Sequence, residues 1–152
     1  MSVAPVMNPS EAAGESSDRN KRMDVKNKDQ MIYMTNQTEI PVYLPYPRFL
    51  LGMDLTQTAK VLYALLLDRA SLSRKTGWKD EEGHIFVVYP IVYLANDLGK
   101  SSMTVKKALN ELEEAGLLVR KKQGFSKPNL LYVKIPAEGK KMILMRERNL
   151  SL

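Results

Sequence analysis

An α+β fold is predicted for this 152-residue chain by three observations. Helical periodicity recurs over three segments, the last two separated by a short glycine-containing turn. Two strand-like runs around a Gly/Pro/Asn loop follow the third helix. The composition turns apolar only near position 39, so the folded part starts well inside the chain. Three stretches are expected: a flexible, disordered arm over 1–38, a folded domain over 39–136 and a tail over 137–152 that can form a short amphipathic helix.

Residues 1–38 are rich in Ser, Asn, Asp, Glu and Lys and show neither a helical nor a strand period, so they bury too little apolar surface to offset ordering entropy. From Ile40 to Leu51 the chain is apolar, aromatic and carries three prolines, which predicts extended backbone with a helical turn near its end. Thr56 is a candidate N-cap for a long helix from Gln57 to about Ser73, with Leu62, Leu65, Leu66 and Arg69 on one stripe and Ala59 and Val61 adjoining it. A basic last turn followed by Gly77 marks its end. Residues 78–83 read as a turn and His84–Tyr89 as a short strand of β-branched and aromatic residues. Trp78 and Phe86 are expected in the core, and His84 in a structural role.

Pro90 suits the first position of a two-turn helix, Ile91 to Leu98, ended by Gly99. Ser101 can cap the next helix, Ser102 to Ala115, with Val105, Ala108, Leu109, Leu112 and Ala115 on its apolar face and Gly116 closing it. Opposite lie Ser102, Met103, Lys106, Lys107 and Asn110. Leu117–Lys122 and Leu130–Ile135, joined through residues 123–129, then read as a β-hairpin with a basic, polar tip.

Composition narrows the chemistry. The chain has no cysteine, which excludes disulfide scaffolds, thiolate metal sites and thiol nucleophiles, and a single histidine, which excludes a two-His metal motif within one chain. No enzymatic constellation and no cofactor are expected. The longest stretch without a charge is Gly83 to Asn96, 14 residues containing Pro90, against the ~20 apolar residues a spanning helix needs. A cytoplasmic protein with no membrane partner is the expectation.

The net charge of +6 is unevenly placed. Residues 1–99 sum to −1, whereas residues 100–134 hold 8 basic side chains (Lys100, Lys106, Lys107, Arg120, Lys121, Lys122, Lys127, Lys134) against 3 acidic ones (Glu111, Glu113, Glu114). Positive charge confined to one helix and its hairpin is the electrostatic footprint of a polyanion binder.

Short helix, turn, longer helix and hairpin, in that order, make a winged helix-turn-helix. In that module the helix after the turn enters the major groove of double-stranded DNA. The small residues Ser101, Ser102 and Thr104 permit close approach to phosphate at a helix N-terminus. Lys100, Lys106 and Lys107 suit phosphate or guanine, Asn110 suits adenine, and Met103 flanks them. Lys121, Lys122, Gln123, Lys127 and Asn129 would stand beside the backbone as the wing. Bland alternatives remain open: a solvated Lys106–Lys107 face paired with Glu111 or Glu114, and hairpin lysines that merely protect edge strands.

Certain stretches go beyond what any winged helix needs. They are Ala59–Arg69 with Ser71-Leu72-Ser73, Gly77-Trp78, Asp80-Glu81-Glu82-Gly83, Leu109, Glu111-Leu112-Glu113, Gly116-Leu117, Lys122-Gln123-Gly124, Lys127-Pro128-Asn129 and Tyr132-Val133. In them the sequence, over about 40–135, resembles the N-terminal domain of RepA-type plasmid replication initiators, the RepA_N family. Where that family's wing often reads Gln-Gly-Leu-Gly-Lys-Pro-Asn, Phe125 and Ser126 stand here in place of Leu-Gly. The resemblance implies a DNA-binding winged helix acting as a homodimer on repeated sites at a plasmid or mobile-element origin, with a separate C-terminal domain recruiting host replication proteins. Since the chain ends at Leu152, a truncated or short-form initiator is expected, the short form binding an origin without recruiting anything and so acting as a regulator or antagonist. The competing expectations are a winged-helix transcription regulator and a protein-interaction winged helix docking a host replication partner through Ile40–Leu51 and the Met-rich tail.

Overall fold

The computed structural model describes residues 30–137. The arm expected over 1–38 therefore lies outside the described residues as far as position 29, and the expected helical tail lies outside them from position 138.

The extended, proline-punctuated entry ends in a 3-10 helix, Arg48–Gly52, that buries Leu50 completely. Helix α1 spans Gln57–Thr76, and the Thr56 hydroxyl caps it by accepting from the Ala59 N–H at 3.2 Å. It runs past Ser73 to Gly77, whose φ of 81° supplies the left-handed turn that closes it. The serines and threonine of its last turns do not break it, because Ser71 and Thr76 donate back to the carbonyls of Leu67 and Leu72. Leu62, Leu65, Leu66 and Arg69 are buried as the stripe predicted, together with Tyr63, Ala64 and Lys60, whereas Val61 faces outward. Burial on more than one side of α1 follows from its packing against both later helices and the sheet.

The strand expected over His84–Tyr89 is reduced to β1, Val87–Val88. The residues before it fold back on the preceding turn instead: Lys79 bridges Ile85, Asp80 N–H donates to the His84 carbonyl, and Phe86 N–H to that of Trp78. The Asp80 carboxylate accepts from the backbone N–H of His84 and of Glu82, each at 2.9 Å. Those bonds, that from His84 foremost, hold its pKa below the usual carboxylate value. His84 thus contributes through its backbone, and its side chain is exposed.

Helices α2 (Ile91–Leu98) and α3 (Ser102–Glu114) follow, with Pro90 as the N-cap of α2 rather than its first helical residue. Gly99, at φ 66°, turns the chain between them. Strands β2 (Leu118–Lys121) and β3 (Leu130–Val133) pair antiparallel, and β3 also pairs with β1, giving the order β1-β3-β2. The whole is an α+β fold in the element order expected of a winged helix-turn-helix.

Register assigns the two sheet faces, because directly paired residues share a side. Leu118 opposite Val133, and Arg120 and Val87 opposite Leu131, face the helices, where Leu131, Leu118 and Val87 join the main core with Leu62, Leu66, Leu109 and Leu112. The other face carries Val119 opposite Tyr132 and Lys121 opposite Leu130. There Tyr132 and Val88 pack with Trp78 and Phe86 in a second cluster, so both predicted core aromatics are buried, but outside the main core.

Tyr63 ties α1 to the end of β3. Its hydroxyl donates to the Lys134 carbonyl at 2.8 Å, and burial pushes its pKa up to about 12. Tyr132 is pushed up to about 12 as well, by burial first and then by its bond to Asp80. A phenol held neutral in the fold ionises near pH 10 once unfolded, so the stability it contributes is complete below pH 10 and is lost as pH rises toward 12. Tyr63→Phe should cost ~1 kcal/mol at neutral pH and flatten part of that alkaline decline in denaturant titrations, the remainder staying with Tyr132.

Candidate nucleic-acid interface

Helix α3 buries Val105, Ala108, Leu109 and Leu112 against the other helices, each 0–1 % exposed. Ala115, expected on that face, is exposed, because the helix ends one residue before it and its backbone turns toward Gly116. The opposite face presents Ser102, Met103, Lys106, Lys107 and Asn110 to solvent, as the 3.6-residue period requires. At its N-terminus the Ser101 hydroxyl accepts from the Thr104 N–H at 3.2 Å and lies 2.9 Å from the Thr104 hydroxyl. Ser101 and Thr104 therefore shape the helix start, while Lys100, Ser102 and Met103 stand exposed around it.

Of the three glutamates of this segment, Glu114 is exposed and the other two join elements of the fold. Glu111 reaches from α3 to the start of α1, accepting from the Thr56 N–H at 3.0 Å and from its hydroxyl at 2.6 Å. A carboxylate there also complements the positive end of α1. Glu113 is paired with Arg120 of β2. Among the described residues no ion pair joins Lys106 or Lys107 to a carboxylate.

Arg120 is the joint between hairpin and helix. Its Nε and Nη2 donate to Glu113, and Nη2 also donates to Asn110 Oδ1 at 2.7 Å. One cation of the sequence footprint is thereby neutralised within the fold, and one edge of the Asn110 amide is taken, its NH2 remaining to donate outward. The signal for this role was present only as an Arg ten residues beyond an Asn and seven beyond a Glu, a spacing that means nothing until the strand folds back on the helix. Arg120→Ala should cost about 1 kcal/mol in thermal unfolding and speed amide exchange in β2–β3 relative to α1.

The hairpin loop divides the remaining residues. Gln123 spans its base, its amide donating to the Pro128 carbonyl at 2.8 Å, so its first role is to hold the loop. Lys127, Pro128 and Asn129 wall a cleft of about 280 Å³ whose other side is Val92 of α2 and Leu109 of α3. Loop and helix-turn-helix thus border one concavity, with Lys122 exposed nearby in sequence at the end of β2. Lys121 stands apart. Its ammonium lies 5.1 Å from the centre of the Tyr132 ring, on the sheet face that looks away from α3, in a groove of about 580 Å³ shared with Arg74 and Leu67 of α1.

The family model for the N-terminus of replication initiator protein A (RepA) matches residues 42–144, from the extended entry through the helix-turn-helix and the hairpin. The chain belongs to this family. Solved structures to which the chain is similar include three described as follows. One, described as the N-terminal domain of a DNA-binding protein, is 33 % identical, with 79 % of this chain and 98 % of that one covered and a TM-score of 0.55. The second, a Rep–DNA complex, is 33 % identical over 71 % of this chain and 88 % of that one, with a TM-score of 0.57. The third, an MDR initiator, is 31 % identical over 70 % and 89 %, with a TM-score of 0.54. No curated protein matches the chain. Among the described residues, no helix is long and apolar enough to cross a membrane.

Proposed function

We propose that this chain binds double-stranded DNA sequence-specifically, at repeated sites of a plasmid or mobile-element origin, as a homodimer serving replication initiation or its control. The observation that carries the reading is the exposed face of α3, whose Lys106 and Lys107 have no carboxylate partner among the described residues, together with a basic hairpin loop whose Lys127 and Asn129 border a cleft with Val92 of α2. A Rep–DNA complex among the similar structures supports the same partner. Helix α3 lies in the major groove, where Lys106 and Lys107 reach phosphate or guanine and the Asn110 amide donates to a base edge. Lys100, Lys122 and Lys127 neutralise phosphates on either side. The domain acts by binding, with no bond made or broken and no cofactor.

The test is fluorescence anisotropy with duplexes carrying any direct repeats identified in or beside its own gene, titrated in salt. Tight binding that weakens by several powers of salt concentration, with scrambled duplex bound far less well, is expected. Equal affinity for scrambled duplex, or a flat salt dependence, would overturn it.

A further inference from the structure

At the tip of the β2–β3 loop, Phe125 is 99 % exposed, more than any other large apolar side chain among the described residues. One exposed apolar residue is ordinary on a protein surface. Three features set this one apart. The loop that carries it is braced by the Gln123 bond to the Pro128 carbonyl and by the Lys127 N–H donating to the Gly124 carbonyl. Its neighbours Gly124 and Ser126 both have positive φ, and Ser126, at 66°, is the one non-glycine residue so placed among the described residues. A side chain in that region is disfavoured, so the tip holds a turn that its own sequence resists. Finally, the flanking sequence is cationic: Lys122 and Lys127 border the tip, and no acidic residue occurs between Glu114 and Glu138.

An aromatic ring framed by cations suits a polyanion that also offers an apolar recess. Duplex DNA does so in its minor groove, between deoxyribose walls and at base steps that open to an inserted ring. Chain length permits the reach. From Arg120, anchored on α3, five residues extend at most ~17 Å, and the major groove that α3 would occupy is ~12 Å wide. The tip can therefore pass one sugar–phosphate strand and meet the adjacent minor groove.

We propose that Phe125 is an apolar wedge for duplex DNA, its ring entering the minor groove beside the segment occupied by α3 while Lys122 and Lys127 hold the flanking phosphates. The proposal rests on the DNA-binding reading above. It makes Phe125 a determinant of specificity at base pairs that α3 never touches, favouring pyrimidine–purine steps that unstack easily.

The experiment uses the full chain and the repeat-bearing duplex, with 2-aminopurine placed in turn at each position flanking the α3 footprint. Wild type should raise the probe's fluorescence at one step. Phe125→Ala should abolish that rise and weaken binding about tenfold with an unchanged salt slope, since no charge is lost. Phe125→Leu should retain most of both effects. A Phe125→Ala protein that binds and brightens the probe as wild type does would overturn the wedge alone. Duplex binding absent in wild type would instead sink the DNA-binding reading on which it rests. Loss of binding to phosphatidylglycerol vesicles with duplex binding intact would assign the tip to a lipid surface, and the wedge would likewise fall.

Discussion

Replacing Lys106 and Lys107 together with alanine should weaken binding to repeat-bearing duplex by roughly ten- to hundredfold near physiological salt, and lower the slope of log affinity against log salt by about 2. Both side chains are exposed on the α3 face opposite its buried stripe, and neither is paired with a carboxylate among the described residues. Their removal therefore takes nothing from the fold, and the melting temperature should stay within about 3 °C of wild type. Anisotropy at several salt concentrations, beside a thermal melt, reads both quantities. Lys121→Ala is the matched control: it removes one positive charge of the same segment, but from the sheet face that looks away from α3, where its ammonium sits over Tyr132. The control should change affinity several-fold less. Equal losses for the single control and the double variant would mean that only net charge matters, and would remove α3 from its place in the groove.

Leu112→Ala should be severely destabilising, costing about 3 kcal/mol and lowering the melting temperature by roughly 15 °C. Leu112 is fully buried on the inner face of α3, within the main core that α1, α3 and the sheet share. The cavity left behind cannot collapse easily, because the adjacent Glu111 holds α3 to the start of α1 through both the N–H and the hydroxyl of Thr56. Well below its melting temperature the variant should still bind duplex, since the exposed face of α3 is untouched. Chemical denaturation followed by circular dichroism, with anisotropy at low temperature, separates the two effects.

Local signals carried most of the fold. The limits of α2 follow from Pro90 and Gly99, and the start of α1 from Thr56, because caps are decided by residues within one turn of each other. Local reasoning overran where pairing depends on a distant partner. His84–Tyr89 has the composition of a strand, yet only Val87 and Val88 meet β3, the residues before them being captured by the 78–80 turn. The hairpin was legible as two runs about a loop. Which of its residues face α3 was not, since alternation leaves the choice of side to the docking of the sheet.

The candidate interface divides along the same line. The exposed face of α3 was legible from helical periodicity, which fixes which residues lie opposite the buried ones. The roles of Glu111, Glu113 and Arg120 were not, because each depends on a contact between elements far apart in sequence. From the sequence alone come the element order, the caps, the concentration of positive charge over 100–134 and the family resemblance, all of which depend on near neighbours or on residue type. Tertiary structure decided which charges remain available: it joined Arg120 to Glu113 and Asn110, turned Lys121 to the far face over Tyr132, spent Gln123 on the loop and left Phe125 bare at its tip. The physical reason is that a count of charges is a property of composition, whereas an unpaired charge or an unburied ring is a property of what else the fold brings within a few ångströms of it.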